Sequence, residues 1–121
     1  SPLASGLFTG RITADTVFAP GDWRAHSPAF HGEALRRNLA LVGRLAELAG
    51  AGGLTVGQLA IAWVLAQPGV HAAVVGAHHL HNVDSCLAAA EAHLTAEDLA
   101  AVERIAADAV PVGGAAPETV A

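Results

Sequence analysis

The run from Val70 to Val75, closed by Gly76, constrains this chain more than any other stretch of its sequence. It is the only segment that reads convincingly as a β-strand: short, rich in valine, preceded by Pro68-Gly69 and ended by a glycine. A strand by itself leaves a row of backbone N–H and C=O groups without partners. No second strand is legible, so residues 70–76 must pair with another copy, with the amino-terminal loop, or with a sheet supplied from elsewhere. The chain is expected to be incomplete as a sheet-containing fold.

The remaining segments read as loop or helix. Residues 1–32 carry Pro2, Gly6, Gly10, Pro20, Gly21, Pro28 and Gly32, a density of breakers that predicts a loop region with at most a helical turn near Leu7. From Glu33 the apolar residues Leu35, Leu39, Val42, Leu45, Leu48 and Ala49 recur in steps of three and four, which places them on one helical face. Gly50-Ala51-Gly52-Gly53 ends that helix. Thr55 with Gln58 forms a capping box for a second helix, apolar nearly all round and containing Trp63, so that residues 33–67 read as a helical hairpin. Two further helices follow within 80–109, one from about Leu80 to Ala92 and one opened by Thr95 with Asp98. The expected architecture is mostly α, about four helices plus one short strand, in a single partial domain over 1–110 with a flexible tail at 111–121.

The strand, its glycine and the helix beyond it make a natural anion site, because glycine lets backbone approach a ligand and the free N–H groups of a first helical turn point at it. His78, His79 and His81 crowd this helix start, and His78 and His81 share a face at a spacing of three. A metal needs three or four convergent ligands, and only His71 and Asp84 could add to the set, so no metal is expected. Phosphate contact and plain solvated histidines are the two readings that remain. Cys86 lies in the second turn, beyond the strongest field of the helix terminus, and reads as a small buried apolar residue. A second cluster, Asp22-Trp23-Arg24 with His26 and then His31, joins an aromatic to acid, base and imidazole in the loop region. Asp22, His26 and His78 are accordingly the acid/base candidates, although Asp22 and Arg24 also suit a simple ion pair or cap.

Composition narrows the partners. The formal charge is -5 and all six basic residues are arginines without a basic stripe, which argues against nucleic acid and against an anionic membrane surface. The longest apolar run, Leu59 to Ala66, falls far short of the roughly 20 residues of a membrane span. A single cysteine and the absence of a signal-peptide pattern suit the cytoplasm. Apolar residues reach 53%, leaving room for an apolar surface meant for a partner. There is no lysine and no tyrosine, so chemistry that needs an amine or a phenol has no group here.

Several segments together resemble a known family. Ser1-Pro2-Leu3 with Gly6-Leu7-Phe8-Thr9-Gly10, then Gly21-Asp22-Trp23-Arg24, Leu54 to Leu65 ending Ala62-Trp63-Val64-Leu65, Val74-Val75-Gly76-Ala77, and Leu94 to Leu99 are similar, in this order, to the carboxyl-terminal part of an aldo-keto reductase. The resemblance runs from residue 1 to about 109. It implies the last third of a (β/α)8 barrel, not a closed barrel alone, with residues 1–3 ending the seventh strand and 70–76 forming the eighth. It also implies NADPH-dependent carbonyl reduction. Ser1, Leu3, Gly6 and Leu7 then match the pyrophosphate-side loop, Gly76 and Ala77 the turn, His78 the 2'-phosphate position and Asn82 an adenine-side polar group. Two residues depart from the family pattern: His78 replaces a permanent cation, and Cys86 an asparagine that faces the adenine. The family's catalytic aspartate, tyrosine, lysine and histidine lie upstream of the matched part.

Three readings follow: part of an NADPH-dependent carbonyl reductase lacking the catalytic tyrosine and lysine, with nicotinamide binding weakened or lost; a small cofactor-independent enzyme doing acid/base chemistry with Asp22, His26, His31 or the histidines at 78–81, His78 first among them; and a non-catalytic binding or assembly module. The expected partners are a small carbonyl or polar ligand and either another copy, in a homo-oligomer with strands paired or swapped, or a complementary barrel fragment.

Overall fold

The computed structural model describes residues 1–77 and 79–113. Four α-helices are built on the expected signals: α1 Gly32–Ala51, α2 Val56–Leu65, α3 Leu80–Glu91 and α4 Ala96–Ala106. In α1 the inward positions are Leu35, Asn38, Leu41, Val42, Leu45 and Ala49, the three-and-four spacing of one helical face. Its end is a Schellman turn: Gly53, at φ +72°, donates to Gly50 O, and Leu54 N donates back to Ala49 O at 2.9 Å. Reciprocal capping boxes open α2 and α4. Thr55 Oγ1 accepts from Gln58 N at 3.2 Å while Gln58 Oε1 accepts from Thr55 N. Thr95 and Asp98 repeat the arrangement.

Helices α1 and α2 meet at 83°, so residues 33–67 form a corner where the sequence suggested a hairpin. The apolar face of α2 explains the angle. Val56, Leu59, Ile61 and Ala62 are buried, and turning the helix across α1 covers more than one of its sides.

The breaker-rich start is more ordered than a loop. Besides the expected turn near Leu7, at Ala4–Thr9, short 3-10 turns occupy Trp23–His26 and Pro28–Phe30. They form because the segment has apolar residues to bury. Leu7, Ala29 and Phe30 join the core with Leu35, Leu41, Val42, Leu45, Ala49, Val56, Leu59 and Val102. Phe18 and Trp23 meet the Phe30 ring edge to face, with centroids 5.5 and 5.7 Å away.

The expected strand is corrected. Residues 71–77 lie in no regular element, and among the described residues none of their backbone groups reaches a backbone partner. A ladder needs a neighbouring strand, and these residues supply none. Side-chain exposure nevertheless alternates, with Ala72 and Val74 exposed and Ala73 and Val75 half-buried, the period of two that a strand would show.

Just before the expected tail at 111–121 the chain is tied to α1. Asn38, 2% exposed, accepts from Val110 N at 3.0 Å and donates to Val110 O at 3.2 Å, and Val112 packs on the core. The rest of that tail, 114–121, lies outside the described residues. Among the described residues no single helix is long and apolar enough to cross a membrane.

Candidate functional site

The loop at the start of the chain is held in an unusual backbone conformation. Ala4, Ser5 and Gly6 have φ of +44°, +56° and +96°, and the first two are left-handed without being glycine, which costs of order 1–3 kcal/mol each. Such a turn persists only if its surroundings over-determine it. Leu3 O accepts from both Gly6 N at 3.0 Å and Phe8 N at 3.2 Å, and the Leu7 side chain is buried beneath. From the other side Arg24 Nη1 donates to Ser5 O at 2.9 Å. Gly6 is fixed twice over, by its positive φ and because an added Cβ would lie 3.1 Å from Arg24 Nη1.

Arg24 is the hub of this region. Its Nη2 and Nε donate to the two Asp22 carboxylate oxygens, at 2.6 Å to Oδ2 and 3.0 Å to Oδ1, and its guanidinium lies 4.7 Å from the centroid of the Phe18 ring. Asp22 also caps the next turn by accepting from Arg24 N at 3.0 Å. The side-chain hydrogen bond from Arg24, then its backbone bond, lower the Asp22 pKa to about 2. The same pairing raises Arg24. Asp22 is thus a fixed anion whose oxygens are engaged, the structural role that the sequence offered as the alternative to proton transfer. His26 is exposed at the end of the turn, and His31 Nε2 lies 3.0 Å from Arg24 O. Within 22–31, Asp22, Arg24 and His31 are joined by these contacts beside the loop, and His26 stands exposed next to them.

At the other predicted part of the site, Gly76 and Ala77 are exposed and lead to α3, whose first turn is preceded by His79. Asn82 N donates to His79 O at 3.0 Å, and the rings of His79 and His81 stack with centroids 5.6 Å apart. Cys86 is half-buried, less enclosed than expected, because few residues cover α3. His78 lies outside the described residues.

Arg11 joins the two halves. Its Nη2 is 3.4 Å from His81 Nε2 and 3.5 Å from Asn82 Oδ1, so a guanidinium from the first loop stands beside the first turn of α3. Nothing local marks this residue, since 71 positions separate the partners. Ser1 and Leu3 sit instead on the α2 side, where an added Cβ at Gly57 would lie 3.3 Å from Phe8 O and 3.6 Å from Leu3 Cδ2. The structure therefore gathers Ser1, Leu3, Gly6 and Leu7 into one loop and links that loop to Asn82 through Arg11. A cavity of about 370 Å³ opens beside this same loop, between Ser1, Ala4, Ser5, Leu7, Asn38 and the 109–112 segment.

Comparison with known proteins gives this geometry a context. A model of the Aldo/keto reductase family matches residues 1–107. Aldo-keto reductase str7 of Strobilurus tenacellus is 32% identical over 106 residues, 88% of this chain and 32% of that protein. Aldo-keto reductase yakc of Schizosaccharomyces pombe, whose name carries NADP(+), is 39% identical over 67 residues, 55% of this chain and 20% of that protein. The structure of a glycerol dehydrogenase from Gluconobacter oxydans superposes with a TM-score of 0.82 at 33% identity, covering 96% of this chain and 35% of that one. The chain spans about a third or less of the length of these relatives.

Proposed function

The chain belongs to the aldo/keto reductase family, and from that premise we propose that it forms the cofactor-phosphate end of an NADPH-dependent carbonyl reductase whose proton-transfer residues reside in strands outside this sequence. The observation that carries the reading is Arg11 beside the first turn of α3, within 3.5 Å of Asn82 Oδ1. A guanidinium next to free helix N–H groups suits a phosphate in charge and in hydrogen-bond geometry.

The fit is to binding and not to the whole reaction. Bound here, the nicotinamide group would supply hydride for a carbonyl substrate. The chain's own residues hold and orient. The Ala4–Gly6 turn, braced by Arg24 and Leu3 O, presents backbone toward the ligand, and Asn82 with Arg11 grips the phosphate end. With no tyrosine and no lysine, the chain has neither phenol nor amine to protonate a developing alkoxide. The cofactor-independent reading is less well supported, because the Asp22 carboxylate is tied up by Arg24.

Titration with NADPH, followed by cofactor fluorescence in a protein that also contains the preceding strands, tests the proposal. Arg11→Ala should weaken binding about tenfold, the loss of one charge-assisted contact of roughly 1.4 kcal/mol. Unchanged affinity in that variant would sink the assignment of Arg11, and no binding by the parent protein would sink the reading itself.

A further inference from the structure

We propose that Thr9 is a positioning residue, whose hydroxyl fixes the place from which Arg11 reaches the first turn of α3. The role rests on the reading of that turn as a phosphate site, and it names the group that aims the cation.

A threonine hydroxyl has one proton to give and lone pairs to receive with, and Thr9 uses both within its own loop. Its Oγ1 donates to Gly6 O at 2.7 Å and accepts from Arg11 N at 3.3 Å. Gly10, at φ +73°, turns the chain back between Thr9 and Arg11, so that residues 9–11 make a hook closed by a side chain. One end of the hook holds Gly6, the last residue of the left-handed turn, whose neighbour Ser5 is held by Arg24. The other end holds the backbone of Arg11. A single hydroxyl therefore joins the turn to the cation.

The surface beneath explains why this link matters. An added Cβ at Gly10 would lie 3.9 Å from Val56 Cγ1, and one at Gly57 would lie 3.3 Å from Phe8 O, so the loop runs against the first turn of α2. From that same turn Gln58 Nε2 donates to Ser85 O of α3 at 3.4 Å. Loop and α3 are thus registered to one common surface, and the exposed Arg11 side chain spans the gap that remains. Its Nη2 stands 3.4 Å from His81 Nε2 and 3.5 Å from Asn82 Oδ1, the outer limit of hydrogen bonding, so a backbone shift of less than about 1 Å is enough to break both contacts. An arm poised at that limit needs a fixed shoulder. The Thr9 hydroxyl supplies it.

The test is a double-mutant cycle on this chain with two readouts: the resonance of the Asn82 side-chain amide without ligand, and the affinity for adenosine 2',5'-bisphosphate. Thr9→Val keeps the volume and removes the hydroxyl. It should move the Asn82 resonance as far as Arg11→Ala does and weaken the bisphosphate about fivefold to tenfold. Thr9→Ser, which keeps the hydroxyl, should leave Asn82 in place and stay within about twofold of the parent affinity. In the Arg11→Ala background Thr9→Val should change the affinity by less than about twofold, because the hydroxyl acts only through that arginine. A Thr9→Val protein whose Asn82 amide matches the parent's overturns the proposal. So does a loss that adds in full to that of Arg11→Ala, or a Thr9→Ser protein that behaves as Thr9→Val does. Since the Asn82 readout involves no ligand, a parent chain that fails to bind the bisphosphate counts against the phosphate reading and leaves the role of Thr9 to be decided by that resonance.

Discussion

Helix α1 turns six side chains into the core and α3 turns one, Ala89, although both open without a side-chain cap and both carry apolar residues at helical spacing. The partners of α1 are all within reach: the Pro28–Phe30 turn, α2, α4 and the 110–112 segment lie against it. Apart from α2, which meets it closely and sends Gln58 Nε2 to Ser85 O at 3.4 Å, α3 has little to bury against. The same kind of sequence pattern therefore yields a core helix where the complementary surface is present and a half-covered one where it is not. Amphipathicity specifies which face is buried and leaves open what buries it.

The comparison breaks most readily at Phe30. It is 1% exposed under the rings of Phe18 and Trp23, so Phe30→Ala should cost about 3–5 kcal/mol in urea unfolding, with the cavity adding to the lost transfer energy. Asn38→Leu comes next. It keeps the volume and strips Val110 of both of its hydrogen bonds, a loss of about 1–3 kcal/mol in the same measurement. If instead that variant were as stable as the parent, the α1 face would be held by apolar contact alone.

How far the sequence disclosed these features depends on their range. The four helices were legible because periodicity and capping boxes are local, Thr55 with Gln58 and Thr95 with Asp98 each within three residues. Asn38 stands between Leu35 and Val42 on an apolar face, but its partner Val110 is 72 residues away and only the fold brings them together. The ordering of residues 1–32 was not legible, since proline and glycine mark where helices fail and say nothing of Leu7, Ala29 and Phe30 reaching the core. Within the site, the Asp22–Arg24 pair could be read two positions apart, whereas Arg11 and Asn82 meet only through the fold.

Thr55→Ala should remove about 1 kcal/mol by freeing the first turn of α2, and Thr95→Ala a similar amount from α4, both in thermal unfolding. The amino-terminal loop adds a pH test. The Asp22 pKa is depressed from 3.8 to about 2, so the contribution of its pairing with Arg24 is complete above pH 3.8 and is lost as the pH falls toward 2. Asp22→Asn should flatten the part of the acid-unfolding curve that this carboxylate causes; a curve identical to the parent's would show that the loop is held by its aromatic contacts. The smallest effect is expected at Leu87. Because it is 63% exposed, Leu87→Ala should change the stability of the chain alone by no more than about 0.5 kcal/mol in urea. A loss approaching that of Phe30→Ala would erase the contrast between the two helices.

The bond pair between Asn38 and Val110 spans 72 residues of chain. Contacts of such separation carry the largest loop-closure entropy, and this one is worth forming only when α1 and α4 already lie side by side. Its making and breaking should therefore report the docking of the 109–112 segment on α1. The Val110 amide, freed only when Asn38 lets go, becomes a local probe of that docking, its exchange slower than that of the amides at 71–77, which meet no backbone acceptor among the described residues.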